Sequence, residues 1–277
     1  DGTSLYVADQ NNHKIRKIVI STGVVTTLAG SGSSGATDAS GTSARFNGPR
    51  GITIDGTNLY VADTANHKIR KIALIGNVNA GVALHNLDDE INVSVSLASS
   101  DTGEATVSPA TLTFTGNNWN TAQTVTLSGV NDNDRDRHQD YKISLSSADQ
   151  KTDSPEVSTF AGSPSGSTSS GSTNATGTSA RFQSPHGITS DGTNLYVADS
   201  NNHTIRKIVI STGAVTTLAG YPGSSGSSNA TGASARFNYP IGITTDGTNL
   251  YVGDYGNHKI RKIVISTGVV TALAGSG

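Results

Sequence analysis

Acidic side chains that could bind a metal concentrate in one segment of the sequence. Asp132, Asp134 and Asp136 alternate with asparagine and arginine in the run NDNDRD. Carboxylate and amide oxygens at every second position of a loop can converge on Ca²⁺. Arg135 and Arg137 interrupt the run, however, and the EF-hand spacing is absent. We therefore expect a solvated loop, with calcium as the alternative and as the one cofactor that the sequence suggests.

Histidine recurs in an Asn-His pair rather than in a ligand cluster. The pairs are Asn12-His13, Asn66-His67, Asn202-His203 and Asn257-His258. One pair per repeat places the histidines on separate structural units, so we expect a turn or packing role instead of a shared metal. His85, His138 and His186 are single and lack ligand spacing. The sequence has no G-x-S-x-G elbow and no convincing Ser/His/Asp set, and it therefore predicts a protein that is not an enzyme.

These residues belong to four copies of one unit. The copies begin at Asp1, Asp55, Asp191 and Asp246 and share the pattern DGT-x-LYV-x-D-x-x-NH-x-IRKI or a close variant. The intervals between their starts are 54, 136 and 55 residues. Self-similarity at such a period is typical of repeat architectures, in which each unit buries its apolar faces against its neighbours.

Each unit is expected to form four short antiparallel strands. In the third copy these strands are residues 186–190, 195–199, 204–210 and 214–219. Asp191-Gly192 and Asn201-Asn202 predict tight turns, because such residues tolerate the positive φ that two-residue hairpins need. The sequence thus predicts an all-β fold of four-stranded sheets, each too small to be stable unless neighbouring sheets cover it.

A loop rich in Gly, Ser, Ala and Thr follows the fourth strand and ends in Ala-Arg-Phe. These loops span about residues 31–43, 163–179 and 222–234. We expect the phenylalanines to be wedges between units and the arginines to pair with the aspartate of LYVAD. The residues concerned are Arg45, Phe46, Arg181, Phe182, Arg236 and Phe237.

The unit resembles the NHL repeat, named for its Asn-His-Leu-type core. The resemblance rests on the Asn-His pairs within the LYVAD-x-x-NH-x-I-R-K-I pattern and covers about 195 residues. It implies a β-propeller, often six-bladed; some NHL-type propellers are metal-dependent lyases, and some eukaryotic ones bind RNA. Only four copies are visible here. Three explanations stay open: an excerpt of a longer array, a small or open ring, or pairing supplied by neighbouring copies.

The second copy is interrupted by a segment with its own strand pattern. Its fourth strand resumes at residues 156–161, which predicts three parts: propeller blades in 1–73, an insertion in 74–155, and the remaining blades in 156–277. Alternating residues in the insertion suit a small β-sandwich. The stretch 99–134 resembles the Ig-like or Calx-beta-like modules of bacterial surface proteins, and Trp119 is expected to be a packing anchor there.

The charge pattern argues against nucleic acid and membrane partners. The net charge is −2, so no long-range field favours polyanions, and no apolar run approaches the ~20 residues of a membrane span. Of the cations, 11 of 19 lie on the third strands. Because an aspartate recurs beside them and no aromatic platform is interleaved, we expect inter-blade salt bridges on a solvated rim.

Two kinds of surface site remain as hypotheses. N-glycosylation sequons occur at Asn92, Asn174, Asn202 and Asn229. Three tyrosines, Tyr221, Tyr239 and Tyr255, could stack on a ligand, next to residue pairs that vary between blades. The pairs are 10–11, 64–65, 200–201 and 255–256.

The repeats and the surface-type insertion together predict a non-catalytic structural or adhesion protein, outside the cell or at its surface. An unpaired sheet edge invites another strand, and head-to-tail contacts of this type build filaments. We therefore expect self-association. The alternatives are a carbohydrate- or peptide-binding propeller receptor and a metal-dependent lyase; near-identical inner strands argue against the lyase.

Overall fold

A computed structural model describes residues 2–74, 93–99, 105–114, 123, 125–129, 143–147, 155–165 and 169–275. The described chain is all-β and divides into two compact units, residues 1–76 with 154–277, and residues 77–153. Its helical segments are three-residue 3₁₀ turns. Among the described residues, none of these helices is long and apolar enough to cross a membrane.

The first unit contains four antiparallel sheets. Sheet 1 is formed by β1 (Ser4–Asp9), β2 (Lys14–Val19) and β3 (Val25–Ala29). Sheet 2 contains β4 (Ala39–Ser40), β5 (Pro49–Ile54), β6 (Asn58–Asp63) and β7 (Lys68–Ala73), and it is completed by a strand that follows the insertion.

The second unit is described through five strands. They are β8 (Val93–Ser99), β9 (Ala105–Ser108), β10 (Thr111–Phe114), β11 (Thr126–Gly129) and β12 (Ile143–Ser147). The strand orders are β10-β8-β12 and β11-β9, all antiparallel. Leu97 and Leu112 are buried together, with Val107 and Val125 packed on them. The Ig-like or Calx-beta-like character of this unit stays a prediction.

The chain then returns to sheet 2 and forms two further sheets. Strand β13 (Glu156–Ala161) pairs with β7, with Val157 opposite Ile72. Sheet 3 contains β14 (Pro185–Ser190), β15 (Asn194–Asp199), β16 (Thr204–Val209) and β17 (Val215–Ala219). Sheet 4 contains β18 (Pro240–Thr245), β19 (Asn249–Asp254), β20 (Lys259–Val264) and β21 (Val270–Ala274). The bounds in sheet 3 lie within one residue of those expected.

The Asp-Gly turn between the first two strands is held by the aspartate side chain. In sheet 2 the Asp55 carboxylate accepts the N–H groups of Thr57 at 2.9 Å and Asn58 at 2.7 Å, and the hydroxyl of Tyr60 at 2.9 Å. Gly56 has φ +105°. Burial by itself would raise the pKa of Asp55, but these hydrogen bonds outweigh it and lower the pKa to about 2.

The second turn differs from the two-residue turn that Asn201-Asn202 predicted. Ser200–Asn202 form a 3₁₀ turn, and His203 follows in the left-handed conformation with φ 57°. The other three copies have the same turn, each ending at the histidine of the Asn-His pair. The histidine, rather than the asparagine, therefore reverses the chain.

The apolar core lies between consecutive sheets. Between sheets 3 and 4, Ile205 and Ala219 pack with Leu250 and Val252, and equivalent clusters join sheets 1 and 2 and sheets 2 and 3. The first strands approach so closely that a Cβ at Gly51 would clash with the carbonyl oxygen of His186. Among the described residues, the four sheets form no closed ring.

Candidate functional site

A buried aspartate–arginine pair lies in each of sheets 2, 3 and 4. In sheet 3, Asp199 and Arg206 are fully buried, and Nη1 lies 2.9 Å from Oδ2. The same pairs in sheets 2 and 4 are Asp63–Arg70 at 3.0 Å and Asp254–Arg261 at 2.8 Å. Both partners belong to adjacent strands of one sheet, so the expected inter-blade salt bridges on a solvated rim are wrong.

The buried arginine also fastens the preceding loop. Arg206 donates from Nη1 to the carbonyl oxygen of Arg181 and from Nη2 to Oδ1 of Asn174, and its guanidinium stacks 5.2 Å from the centre of the Phe182 ring. Arg70 and Arg261 bind the carbonyl oxygens of Arg45 and Arg236 in the same way. The expected pairing of these loop arginines with the LYVAD aspartate is therefore wrong, since the strand arginine takes that position.

The loop phenylalanines lie where the wedge prediction placed them. Phe46, Phe182 and Phe237 are fully buried. Phe237, for example, packs with Ile205 of sheet 3 and Leu250 of sheet 4. Each phenylalanine therefore fills the gap between two consecutive sheets while its ring supports the buried arginine.

The asparagine of the Asn-His pair completes the coordination of the buried aspartate. Asn202 donates from Nδ2 to Oδ2 of Asp199 at 2.7 Å and to the carbonyl oxygen of Gly171 at 2.7 Å; Asn66 and Asn257 make equivalent bonds. Burial raises the pKa of Asp199 to about 6, against the opposing effect of Arg206 and these hydrogen bonds. The group is a structural junction of two strands and a loop.

The histidine of the pair joins one sheet to the next. His67 accepts the N–H of Ser184 on Nδ1 at 2.9 Å, and His13 and His203 accept those of Gly48 and Tyr239 at 3.1 Å. No N–H donor among the described residues reaches Nδ1 of His258 in sheet 4. This geometry gives three of the four recurring histidines, His13, His67 and His203, an inter-sheet packing role.

The sequons differ in accessibility. Asn202 is buried with both Nδ2 bonds used, so a folded chain cannot accept a glycan there. Asn174 and Asn229 are exposed and use Oδ1 to accept from the buried arginines. Asn92 lies outside the described residues, as do Trp119, His85, His138 and the acidic segment Asp132, Asp134 and Asp136. Among the described residues, no group of three His, Cys, Asp or Glu could hold a metal.

A cleft of about 570 Å³ opens where the first strands of sheets 2, 3 and 4 begin. Three lining residues are equivalent, each following the proline that starts a first strand: Arg50, His186 and Ile241. The remaining lining residues come from the loops before these strands and from the 3₁₀ turns. They are Thr64, Ser184, Ser200, Asn201, Tyr239 and Tyr255.

Arg50 and His186 form a pair in the cleft. Nη1 of Arg50 lies 2.5 Å from Nε2 of His186. Because a guanidinium can only donate, the histidine accepts on Nε2 and is neutral in this arrangement. Burial, and then the positive charge of Arg50, lowers the pKa of His186 to about 4. The pair therefore presents a permanent positive charge in a set position.

The expected tyrosine group is only partly assembled. Tyr239 and Tyr255 are exposed and line the cleft, and the Tyr239 ring lies 4.7 Å from that of His203 in an edge arrangement. Tyr221 lies elsewhere, with its ring centre 5.1 Å from the guanidinium of Arg236. Of the variable pairs, residues 64, 200, 201 and 255 contribute to the cleft, whereas Gln10 and Asn11 lie in a separate groove of sheet 1.

Sequence reasoning missed Arg50, His186 and Ile241. The available signal was their position, since each replaces the others in an otherwise constant P-x-G-I-T strand. The expectation that the inner strands have not diverged is therefore wrong for the first strands, which read PRGITI, PHGITS and PIGITT and differ at this position and at the last one. These three residues line one cleft because the three first strands begin side by side.

Comparison with known proteins supports the repeat assignment. The NHL repeat family model matches residues 46–72 and 182–208. Each match begins at the phenylalanine that ends a loop and contains the first two strands of a sheet, the 3₁₀ turn, and the buried aspartate, asparagine and arginine. NHL repeat-containing protein 2 of Gallus gallus is 29% identical over 100% of this chain and 39% of its own length. The Bos taurus protein of that name is 30% identical over 99% of this chain and 38% of its length.

These findings establish two NHL repeat matches in an all-β chain. The chain spans less than two fifths of the curated relatives' length. Among solved structures, a structural genomics protein of unknown function from Bacteroides thetaiotaomicron aligns with a TM-score of 0.55 and 19% identity, over 97% of this chain and 45% of that one. That likeness concerns the fold alone, and with the repeat matches it supports sheets of the β-propeller blade type.

Proposed function

We propose that the chain is a non-catalytic structural or adhesion protein, outside the cell or at its surface, that assembles head-to-tail. One observation carries the proposal: the outer faces of sheets 1 and 4 are apolar, and no other sheet of the described first unit packs on them. Leu5 is 55% exposed and Leu273 is 57% exposed, whereas Leu195, the equivalent of Leu5 in sheet 3, is fully buried.

The two outer faces have the residues of an interface that already exists in the molecule. The front face of sheet 1 is defined by Leu5, Val7, Ile18 and Val25, and the back face of sheet 4 by Ile260, Leu273 and Ala274. Their counterparts pack against each other between sheets 3 and 4. The front face of sheet 1 in one copy can therefore pack on the back face of sheet 4 in a second copy, as sheet 4 packs on sheet 3 within the chain.

Burying these two apolar faces is energetically more favourable than leaving them in contact with water. Fully burying a leucine or valine side chain contributes roughly 1.5–3 kcal/mol. A contact between a front and a back face is heterologous, because two different surfaces meet, and it repeats as long as further copies are added. Concentration-dependent growth is the direct consequence.

Sedimentation velocity over a wide concentration range tests this proposal. We expect the mean mass of the wild-type protein to rise with concentration, and Leu5→Glu and Leu273→Glu each to remain monomeric. A mixture of the two variants retains one front and one back face and should stop at dimers. Thr216→Glu, the same charge change at an exposed site of sheet 3, should assemble like wild type. A wild-type protein that stays monomeric throughout would contradict the proposal.

A second candidate function, a carbohydrate-binding receptor, is favoured by the cleft. Binding sites are typically concave, with a few polar groups among aromatic and apolar walls, and this cleft combines a charged pair with two exposed tyrosines. Screening the protein on a glycan array, with Tyr255→Ala as the comparison, tests it. Signals that are absent, or equal in both proteins, would contradict a receptor site here.

The proposal includes two further features of the sequence. Calcium at Asp132, Asp134 and Asp136 is the one cofactor considered, and elemental analysis of dialysed protein tests it together with the metal-dependent lyase alternative. Glycans on Asn174 and Asn229 fit their exposure, whereas Asn202 is buried. Mass spectrometry of secreted protein before and after deglycosylation should assign the modified asparagines.

A further inference from the structure

The charge of the cleft decides which ligand it would accept. Its lining includes the cation Arg50 and, among the described residues, no aspartate or glutamate. His186 accepts one hydrogen bond from Nη1 of Arg50 on its Nε2. The guanidinium has five N–H donors, so the others can bond to a ligand. A guanidinium held in one orientation can bind a carboxylate through two parallel hydrogen bonds.

The remaining walls favour a sugar over a peptide. Tyr239 and Tyr255 present exposed rings on which the C–H face of a pyranose can pack, and their hydroxyls give each ring a polar end. Asn201 donates to Oγ of Ser184 at 3.2 Å, and both residues line the cleft. Their amide and hydroxyl groups can form further hydrogen bonds with sugar hydroxyls. A peptide held by strand addition needs a free strand edge, whereas the cleft lies at the starting ends of the first strands and offers side chains.

We propose that this cleft binds an acidic carbohydrate, with the sugar carboxylate on Arg50 and a pyranose ring on Tyr239 or Tyr255. The inference rests on the receptor function proposed above and names its ligand class. His186 is a positioning residue, because it holds Arg50 and does not itself need to contact the carboxylate. The neutral state of His186 predicts that binding is unchanged between pH 5.5 and 8.

Saturation-transfer NMR and calorimetric titration with tri-galacturonate test the proposal, with neutral galactotriose as the matched sugar. We expect tri-galacturonate to bind and galactotriose to bind at least tenfold more weakly. Arg50→Ala should weaken tri-galacturonate binding by about tenfold to a hundredfold, the usual effect of losing hydrogen bonds to a charged group. Lys207→Ala removes one positive charge from sheet 3 away from the cleft and should leave binding unchanged.

The outcomes separate this inference from the receptor function. Equal binding of both sugars, with sensitivity to Tyr255→Ala and not to Arg50→Ala, would overturn the acidic ligand class while supporting a receptor. Binding of neither sugar would overturn both. Binding of an oligoglutamate peptide in place of tri-galacturonate would assign the cleft to acidic peptides and overturn the carbohydrate proposal. Circular dichroism melts of each variant establish that the protein tested is folded.

Discussion

Sheets 1 and 3 share almost the same sequence, yet the same ion pair has a different environment in each. In sheet 3, Asp199 and Arg206 are fully buried and 2.9 Å apart. In sheet 1, Asp9 and Arg16 are 3.6 Å apart, and their side chains are 26% and 30% exposed. The aspartate, arginine and asparagine recur in both sheets, so the difference comes from what lies beside them.

The two environments differ in a loop. Arg206 donates to two carbonyl oxygens and to Oδ1 of Asn174, all in the loop that precedes sheet 3. Its guanidinium also lies over the ring of Phe182 from the same loop. No described segment takes that place beside Arg16, which instead donates from Nε to the carbonyl oxygen of Thr26. The repeat signature is therefore a junction that works only when a loop and a neighbouring sheet enclose it.

Removing the arginine should give the largest difference in stability loss between the two sheets. Arg206→Met leaves the Asp199 carboxylate buried without its partner, which typically costs about 3–5 kcal/mol, whereas Arg16→Met in sheet 1 should cost about 0–1 kcal/mol. Urea unfolding of both variants measures the difference. The double variant Asp199→Leu/Arg206→Met should recover part of the loss, and equal losses in the two sheets would refute the comparison.

Removing the asparagine should give a smaller contrast. Asn202→Ala removes the donor to the carbonyl oxygen of Gly171 and leaves Oδ2 of the buried Asp199 with Arg206 alone, at a cost of about 1–3 kcal/mol. Asn12, its equivalent in sheet 1, donates only to Oδ1 of Asp9 in an exposed position, so Asn12→Ala should change the free energy of unfolding by a few tenths of a kcal/mol. Thermal and urea unfolding measure both losses, and equal losses for the two variants would contradict the role of burial.

The histidine bond can be isolated by a matched pair of variants. His67 and His258 have nearly equal φ values, 54° and 51°, so replacement by alanine imposes similar backbone strain in both. Only His67 accepts an N–H from the next sheet, that of Ser184. In urea unfolding, His67→Ala should therefore be less stable than His258→Ala by about 1 kcal/mol. Equal stabilities would contradict the proposal that His67 holds two sheets together.

The Asp-Gly turns predict the smallest effect, and it depends on pH. The pKa of Asp55 is lowered to about 2 in the folded protein, below the ~3.9 of an unfolded chain. The carboxylate therefore contributes stability above about pH 4, and this contribution is lost as the pH falls towards 2. Unfolding of wild type and Asp55→Asn from pH 6 to 2 should converge at low pH; parallel curves would contradict the turn's role.

The strands could be predicted because turn residues and alternating apolar residues are local signals in the sequence. The buried aspartate–arginine junction could not, because it depends on strand pairing and on the path of a loop. Dihedral preferences and alternation place the strands of sheet 3 within one residue, because both act over a few neighbouring positions. The partner of Asp199 was missed because Arg206 and Arg181 are equally plausible cations in the sequence, and only strand pairing and the path of the loop distinguish them. Arg50 and His186 were missed because their first strands meet only in three dimensions.

Hydrogen exchange of the β1–β2 and β15–β16 strand pairs tests most directly whether a neighbour must cover each sheet. At low protein concentration, amides of residues 4–19 should exchange faster than those of residues 194–209, although the two sequences are nearly identical. At high concentration a second copy should cover the front face of sheet 1, and exchange of residues 4–19 should slow towards that of residues 194–209. Exchange in sheet 1 that is independent of concentration, or as slow as in sheet 3 at every concentration, would contradict the account.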